Sequence, residues 1–519
     1  MSQLLPMMLA AAFSQAATSP AEQTTPADPA PVVWTGTLPR RPGEDEMLVL
    51  LQPAGGPPSV ALRRPHKEGP VSWGPLPLFS DLLATAQPVS FGSDGRCEVG
   101  ATAKGNHRLD CRPGTSISGA TWMLGGRVPV GGAIGAQFST SGDRRFRAEI
   151  TARGADATSP ALLATGNDRL RLPQPVADQP IQLAVFGPTE GGTLELNRLE
   201  IVPSATPAVR NALSAWAWEA DLWRNDPAAL VAAARSRGIG RLFVSLDIAR
   251  GVVRDARALG RFVTLARAAG VEVEAVEGDP RMVQPEGLQQ ARARAEAFAA
   301  YQRRARPAER LAGIQYDVEP YILPGWGKGQ ESYDGWASAI VQLAAAAGEP
   351  VDLVLPFWVA GSADGAAFLN RVAPAVRVMT VMSYRTDAAV LSQIAEPLLA
   401  WGSRHGKSIR LSLEAGPLPD EVEEVFIPAA AGTLAVMPGP TPRVLQLASA
   451  GVVPGARMYR FHQRTTIRGS AQSFLGSEAP MLAMATATAP TFSAWPAFSG
   501  FALHGLDWSR APAAPSAAP

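Results

Sequence analysis

From about residue 211 the chain alternates in a pattern that few folds satisfy. Short apolar runs occupy 213–218, 241–247, 271–277, 313–319, 351–357, 376–384, 408–414 and 457–462. Stretches rich in Ala and Arg with helical spacing fill most of the gaps, at 227–237, 252–269, 286–306, 332–347, 388–401 and 444–450. Strands separated by helices of this length must run parallel, because each helix carries the chain back across the sheet. Eight such units within about 250 residues is the size of a (β/α)8 TIM barrel. A doubly wound open sheet would need a Gly-rich phosphate turn after its first strand. Here that strand is followed by WEADLWRNDP, which contains no glycine. The spacing therefore predicts a TIM barrel over 211–470.

Upstream the period changes. Between 33 and 205, short alternating runs at 47–51, 146–151, 181–186 and 193–201 are broken by Gly, Pro, Asp and Asn. This predicts an antiparallel β-sandwich preceding the barrel, so the chain reads as multidomain. Its last run, TLELNRLEIVP, is similar to the closing strand of carbohydrate-binding jelly rolls. Cys97 and Cys111 flank a hairpin signal at Gly105-Asn106, which predicts that they pair as a disulfide. Residues 4–13 form an apolar stretch followed by Ser14-Gln15-Ala16, a small-x-small cleavage pattern. Residues 1–16 are read as a signal peptide and 17–32 as a Pro/Ala/Thr-rich linker. A secreted or periplasmic location follows, and a disulfide fits that compartment. Residues 471–519 read as a C-terminal extension, partly low-complexity, whose segment PAFSGFALHGLDW could dock on either domain as a strand.

The charge balance excludes several classes of partner. Lys plus Arg number 47 against 46 Asp plus Glu, a formal net charge of +1. No nucleic-acid binding and no global pull toward anionic lipid is implied. No later apolar run reaches the length of a membrane span. The five histidines show no HExxH or paired metal spacing, and neither a GxSxG elbow nor a P-loop is present, so neither metal nor cofactor is expected. The chain is expected to be a monomer.

Barrel active sites lie at the carboxyl ends of the strands. On the fourth run, Gly313-Ile314-Gln315-Tyr316-Asp317-Val318-Glu319, alternation puts Ile314, Tyr316 and Val318 toward the helices. Gln315, Asp317 and Glu319 then face inward. Two carboxyls this close interact, so one can keep its proton at neutral pH and serve as a general acid. Glu414 ends the seventh run on its inward side, and Tyr384 ends the sixth. Arg460 and His462 share a face of the eighth and are expected to touch substrate. Trp218, Trp326 and Trp358 fall in the loops above the barrel and offer flat faces to sugar rings. Trp326, between Gly325 and Gly327, is expected to be exposed.

The run GIQYDVE with VMSY resembles the family 18 chitinase-like glycosidases, whose fourth strand carries DGxDxDxE and sixth MxY. Gly313, Asp317, Glu319, Met382 and Tyr384 match; Ala312 and Gln315 stand at the first two aspartates, and Arg385 where an aspartate often follows the tyrosine. The resemblance implies that Glu319 protonates the leaving oxygen. Asp317 would orient a substrate acetamido nucleophile, and Tyr384 would hydrogen-bond it. Glu319 with Glu414 also looks like the retaining clan that carries its acid on strand four and its nucleophile on strand seven. That clan usually has Asn before the acid, where this chain has Val318. Both readings give an exported glycosidase of retaining type acting on a polysaccharide or oligosaccharide, with Glu319 as acid. The alternative is a catalytically inactive carbohydrate-binding barrel of the cell envelope.

Overall fold

The computed structural model describes residues 31–509 apart from 39–40, 54–57, 64–80, 103–104, 125–133, 144, 153–158, 163–165, 172–180, 204–209, 324 and 328. The proposed signal peptide, nearly all of the linker and the last ten residues lie outside that range.

Eight parallel strands close into a barrel. In order they are Leu213–Ala217, Ile239–Ser245, Glu272–Glu277, Ile314–Tyr316, Val351–Pro356, Val376–Met382, Ser408–Glu414 and Phe498–His504. Side-chain caps set the ends of the intervening helices. Asp226 accepts from the Ala229 N–H to start Pro227–Ser236, and Ser332, Ser362 and Asp387 do the same for three later helices. Ile314, Tyr316 and Val318 pack outward with Trp336 and Ile340 of helix Tyr333–Ala347.

The barrel interior is filled in layers. At its amino-terminal end Glu274 bridges Arg241 (2.5 Å) and Arg377 (2.9 Å), and Asp352 meets Arg377 (2.9 Å) and Arg410 (3.6 Å). Burial, then the charge of Asp352, pushes the Glu274 carboxyl up to about 7. Above this, the Gln315 amide joins the Trp216 indole (2.7 Å) to the Thr380 hydroxyl (3.1 Å). Trp216, Phe243, Val276, Val354 and Met382 pack with Tyr384 over that layer. A plugged interior leaves the carboxyl ends of the strands as the place for chemistry.

The eighth strand differs from the sequence expectation. Residues 457–462 belong to Arg457–Ile467, an antiparallel strand of a separate seven-stranded sheet inserted between barrel strands seven and eight. Strand eight is Phe498–His504, within the segment assigned to the C-terminal extension, and helix Glu478–Phe492 leads into it. The barrel therefore runs past 470. The sequence carries the reason. A strand of a closed barrel is covered on both faces and reads apolar on both parities, as FSGFALH does. Arg457–Ile467 has a largely exposed polar outer half, with Arg460 and His462 among its exposed residues.

The inserted sheet also draws on the start of the chain. Val32–Thr37 pairs with Arg443–Gly451, and Met47–Pro53 with Glu421–Ala429, so the run at 47–51 is not part of the sandwich. Arg443–Gly451 was expected to be helical. It is held between two antiparallel neighbours, where pairing overrides a weak Ala-rich propensity. Leu48, Leu50, Phe426, Leu434 and Tyr459 form the core of this sheet.

The sandwich spans Pro88–Phe91 to Gly192–Pro203 as two five-stranded antiparallel sheets. Trp122, Phe138, Phe146 and Leu199 lie fully buried between them. Cys97 and Cys111 face each other across a hairpin and form a disulfide. Gly105 takes the positive φ (81°) that the hairpin turn requires.

Candidate active site

Asp317 and Glu319 follow directly on barrel strand four, with Gln315 of the same parity already inside the barrel. Strand four comes close to strand three here. A Cβ at residue 278 would lie 2.8 Å from the Asp317 carbonyl oxygen, so only Gly278 fits. Asp317 Oδ1 is shut off from solvent and has no hydrogen-bond partner. Among the described residues no ion pair reaches either acid. Burial, reinforced by the Glu319 charge, pushes the Asp317 carboxyl well above the usual carboxylate range. Burial also raises Glu319, opposed by the hydrogen bond that Tyr321 donates to Glu319 Oε2 at 2.5 Å. A half-buried acid pair with no ion-pair partner among the described residues holds protons at pH values where exposed carboxylates have lost them.

Tyr384 ends strand six on the inward side and is buried. Burial raises its phenol well above the ordinary value, and the charges of Glu414, Asp317 and Glu319 add to that shift. The hydroxyl therefore stays a hydrogen-bond donor at any physiological pH.

Glu414 ends strand seven and is almost fully buried, with both oxygens engaged. Oε1 accepts from the Gly416 N–H (2.5 Å) and Oε2 meets His504 Nδ1 at 2.6 Å. The Trp218 indole donates to His504 Nε2 (3.1 Å). An indole N–H only donates, so Nε2 keeps its lone pair and the proton sits on Nδ1. His504 is thus the neutral Nδ1–H tautomer, linking Glu414 to Trp218. Gly505 (φ 70°) makes this possible, since a Cβ there would stand 2.3 Å from Glu414 Oε1. His504 was missed in the sequence because strand eight was placed forty residues too early; the apolar parity of FSGFALH, with a histidine at its carboxyl end, was the available signal.

The predicted aromatics divide. Trp218 stands over the site through His504. Trp358 packs edge-on to Tyr321 at 5.0 Å, so it touches the residue that holds Glu319. Trp326 is half-buried rather than exposed, edge-on to Tyr321, Tyr333 and Trp336 at 6.3, 5.2 and 6.2 Å. Its flanking glycines let the loop fold down onto an aromatic cluster. Beside that loop an open groove of about 600 Å³ is lined by Gln284, Glu286, Gly325, Gln330 and Glu331. Arg460 and His462 lie in the inserted sheet and not at the carboxyl end of a barrel strand, which removes the basis for their expected substrate contact. Among the described residues no cluster of His, Cys, Asp and Glu could hold a metal ion, and no helix is long and apolar enough to cross a membrane.

No family model matches the sequence, and no curated protein matches it. Solved structures overlap it at low identity. The CBM22-1–GH10 modules of an endo-1,4-β-D-xylanase of Clostridium thermocellum are 11% identical over 65% of this chain and 82% of theirs, with a TM-score of 0.27. The spore cortex-lytic enzyme SleL of Bacillus megaterium is 10% identical over 60% and 76%, with a TM-score of 0.31. The low-affinity xylan-binding module CBM86 of Roseburia intestinalis is 12% identical over 23% and 96%, with a TM-score of 0.18. At TM-scores this low the overlaps carry no argument about activity, and the barrel rests on the chain's own strand pairing.

Proposed function

We propose that this chain is an exported glycoside hydrolase that cleaves a polysaccharide or oligosaccharide with Glu319 as general acid. The observation that carries the reading is the pair Asp317 and Glu319 at the end of barrel strand four, half-buried, with no ion-pair partner among the described residues and both raised in pKa. A protonated Glu319 would deliver its proton to the leaving glycosidic oxygen as the bond to the anomeric carbon breaks. Tyr321 would fix the other carboxyl oxygen, so that the proton sits on the oxygen facing substrate.

The second group is Asp317, assisted by Tyr384. Glu414 is the less suited of the two, because both its oxygens are already committed to Gly416 and His504. The substrate-assisted route is favoured on that ground. A substrate acetamido oxygen would attack the anomeric carbon while Asp317 and the Tyr384 hydroxyl orient it, and water would then open the ring intermediate with retention. The disulfide and the apolar leader support a secreted or periplasmic location. The sandwich would assist glycan binding.

The test is product release from a panel of N-acetylated and non-acetylated polysaccharides, read by mass spectrometry. The wild-type chain should release oligosaccharides and Glu319→Gln should lose about 10²–10⁴-fold in rate with an unchanged thermal melt. Glycan binding without products from the wild type would replace the hydrolase with a non-catalytic carbohydrate-binding barrel.

A further inference from the structure

The described arginines that lose much of their water are nearly all matched. Arg237 pairs with Glu478, Arg241 with Glu274, Arg294 with Glu277, and Arg410 with Asp352. Arg96 has no carboxylate partner but is surrounded by carbonyls, four of which it contacts. Burying a guanidinium without such partners is costly, which is why the matching is the rule.

Arg385 departs from it. It follows Tyr384 at the carboxyl end of barrel strand six, half-buried. Its guanidinium lies over the Phe357 ring, 4.9 Å from the centroid, at the end of strand five. One Nη1–H donates to the carbonyl of Tyr384 at 2.6 Å. No carboxylate among the described residues comes within ion-pair distance, and the remaining N–H groups have no protein partner there. Loss of water alone lowers its pKa, with no acid nearby to oppose the effect. The aromatic face fixes the plane of the fork, and the Tyr384 carbonyl fixes its rotation. The open edge of a planar guanidinium matches two oxygens of one oxyanion. Trp358, next to Phe357, packs on Tyr321, and Tyr321 holds Glu319. The fork thus stands at the carboxyl ends of strands five and six, linked to Glu319 through Phe357, Trp358 and Tyr321.

We propose that the glycan taken by this site is anionic, and that Arg385 binds a carboxylate or sulfate carried by the sugar beside the scissile bond. The inference rests on the hydrolase reading but is tested separately from it, through binding. An incoming oxyanion would supply the partner that the protein withholds. It would also give selectivity, since a neutral sugar would cover the half-exposed cation without pairing it.

The experiment uses the full chain with Glu319→Gln to prevent turnover. Isothermal titration follows hyaluronan and chondroitin sulfate fragments, which carry an acetamido group together with a carboxylate or sulfate, each against its carboxyl-reduced or desulfated counterpart, with neutral chito-oligosaccharides alongside. The expected result is at least tenfold tighter binding of one anionic series than of its neutral counterpart, weakened by salt. Adding Arg385→Ala should erase that preference, and Arg385→Lys should restore part of it. The uronate and sulfate arms tell the two oxyanions apart. Preferred binding of neutral glycans, unchanged by Arg385→Ala, would overturn the inference and leave the hydrolase standing. Absence of binding to the Glu319→Gln chain together with absence of product release by the wild-type chain for every glycan would overturn the two together. Loss of the folded melt in Arg385→Ala shifts the comparison to Arg385→Lys, where an unaltered anion preference with swapped geometry would also count against a bidentate fork.

Discussion

Asp317 shows how one residue carries both a cost and a use. Its carboxyl is raised by burial and by Glu319, so the folded protein binds a proton that the unfolded chain releases at lower pH. For an acid shifted upward, the native state holds more protons between the unfolded and folded pKa values, and stability falls as pH rises through that window. Asp317→Asn removes the charge that the fold resists. It should raise the melting temperature at pH 8, by about 2–4 °C for each kcal/mol relieved, and the gain should vanish near pH 4, where the wild-type carboxyl is already protonated. Calorimetry at the two pH values checks this. A variant less stable than wild type at pH 8 would mean that Asp317 is a satisfied structural group. Stability gained by deleting a polar group is the usual mark of a functional residue held at some expense to the fold.

At the scale of elements, much of the barrel could be read directly. Seven of its strands and most of its helices follow from alternation and helical spacing, because a buried parallel strand and an amphipathic helix leave different periods in the sequence. The Asp317, Glu319, Tyr384 and Glu414 positions came from parity at strand ends, which needs no tertiary information. What could not be read was which later strand closes the barrel. The inserted sheet is antiparallel and made by segments more than 350 residues apart, Val32–Thr37 and Arg443–Gly451 among them, and local pattern does not report such pairings. His504 was lost with that misplaced strand. Trp326 was misjudged because Gly-rich flanks suit both a projecting loop and one folded against neighbours. The sheet yields a prediction of its own. Deleting residues 1–63 would strip partners from Arg443–Gly451 and Glu421–Ala429, leaving two bare edges. The shortened chain should aggregate in light scattering at concentrations where the full chain stays dispersed. Equal solubility would show that the amino-terminal strands are ornamental to the sheet.

Across the whole molecule, barrel, sandwich and inserted sheet each have a separate hydrophobic core. Cys97–Cys111 closes a loop of 14 residues inside the sandwich only, and a loop of that size is worth about 3 kcal/mol. Reduction should therefore lower a calorimetric transition belonging to the sandwich and spare hydrolysis of short oligosaccharides. A simultaneous fall of the barrel transition and of activity would show the cores to be coupled.

The central claim is that Glu319 donates a proton to the leaving oxygen, and dependence on the leaving group isolates that act. Once a sugar has been identified by product release, wild type and Glu319→Gln are compared on its natural oligosaccharide and on its 2,4-dinitrophenyl glycoside, whose phenolate departs without protonation. The account predicts a loss of about 10²–10⁴-fold on the natural bond and little loss of bond cleavage on the activated one. Equal losses on both substrates, or none on either, would contradict it.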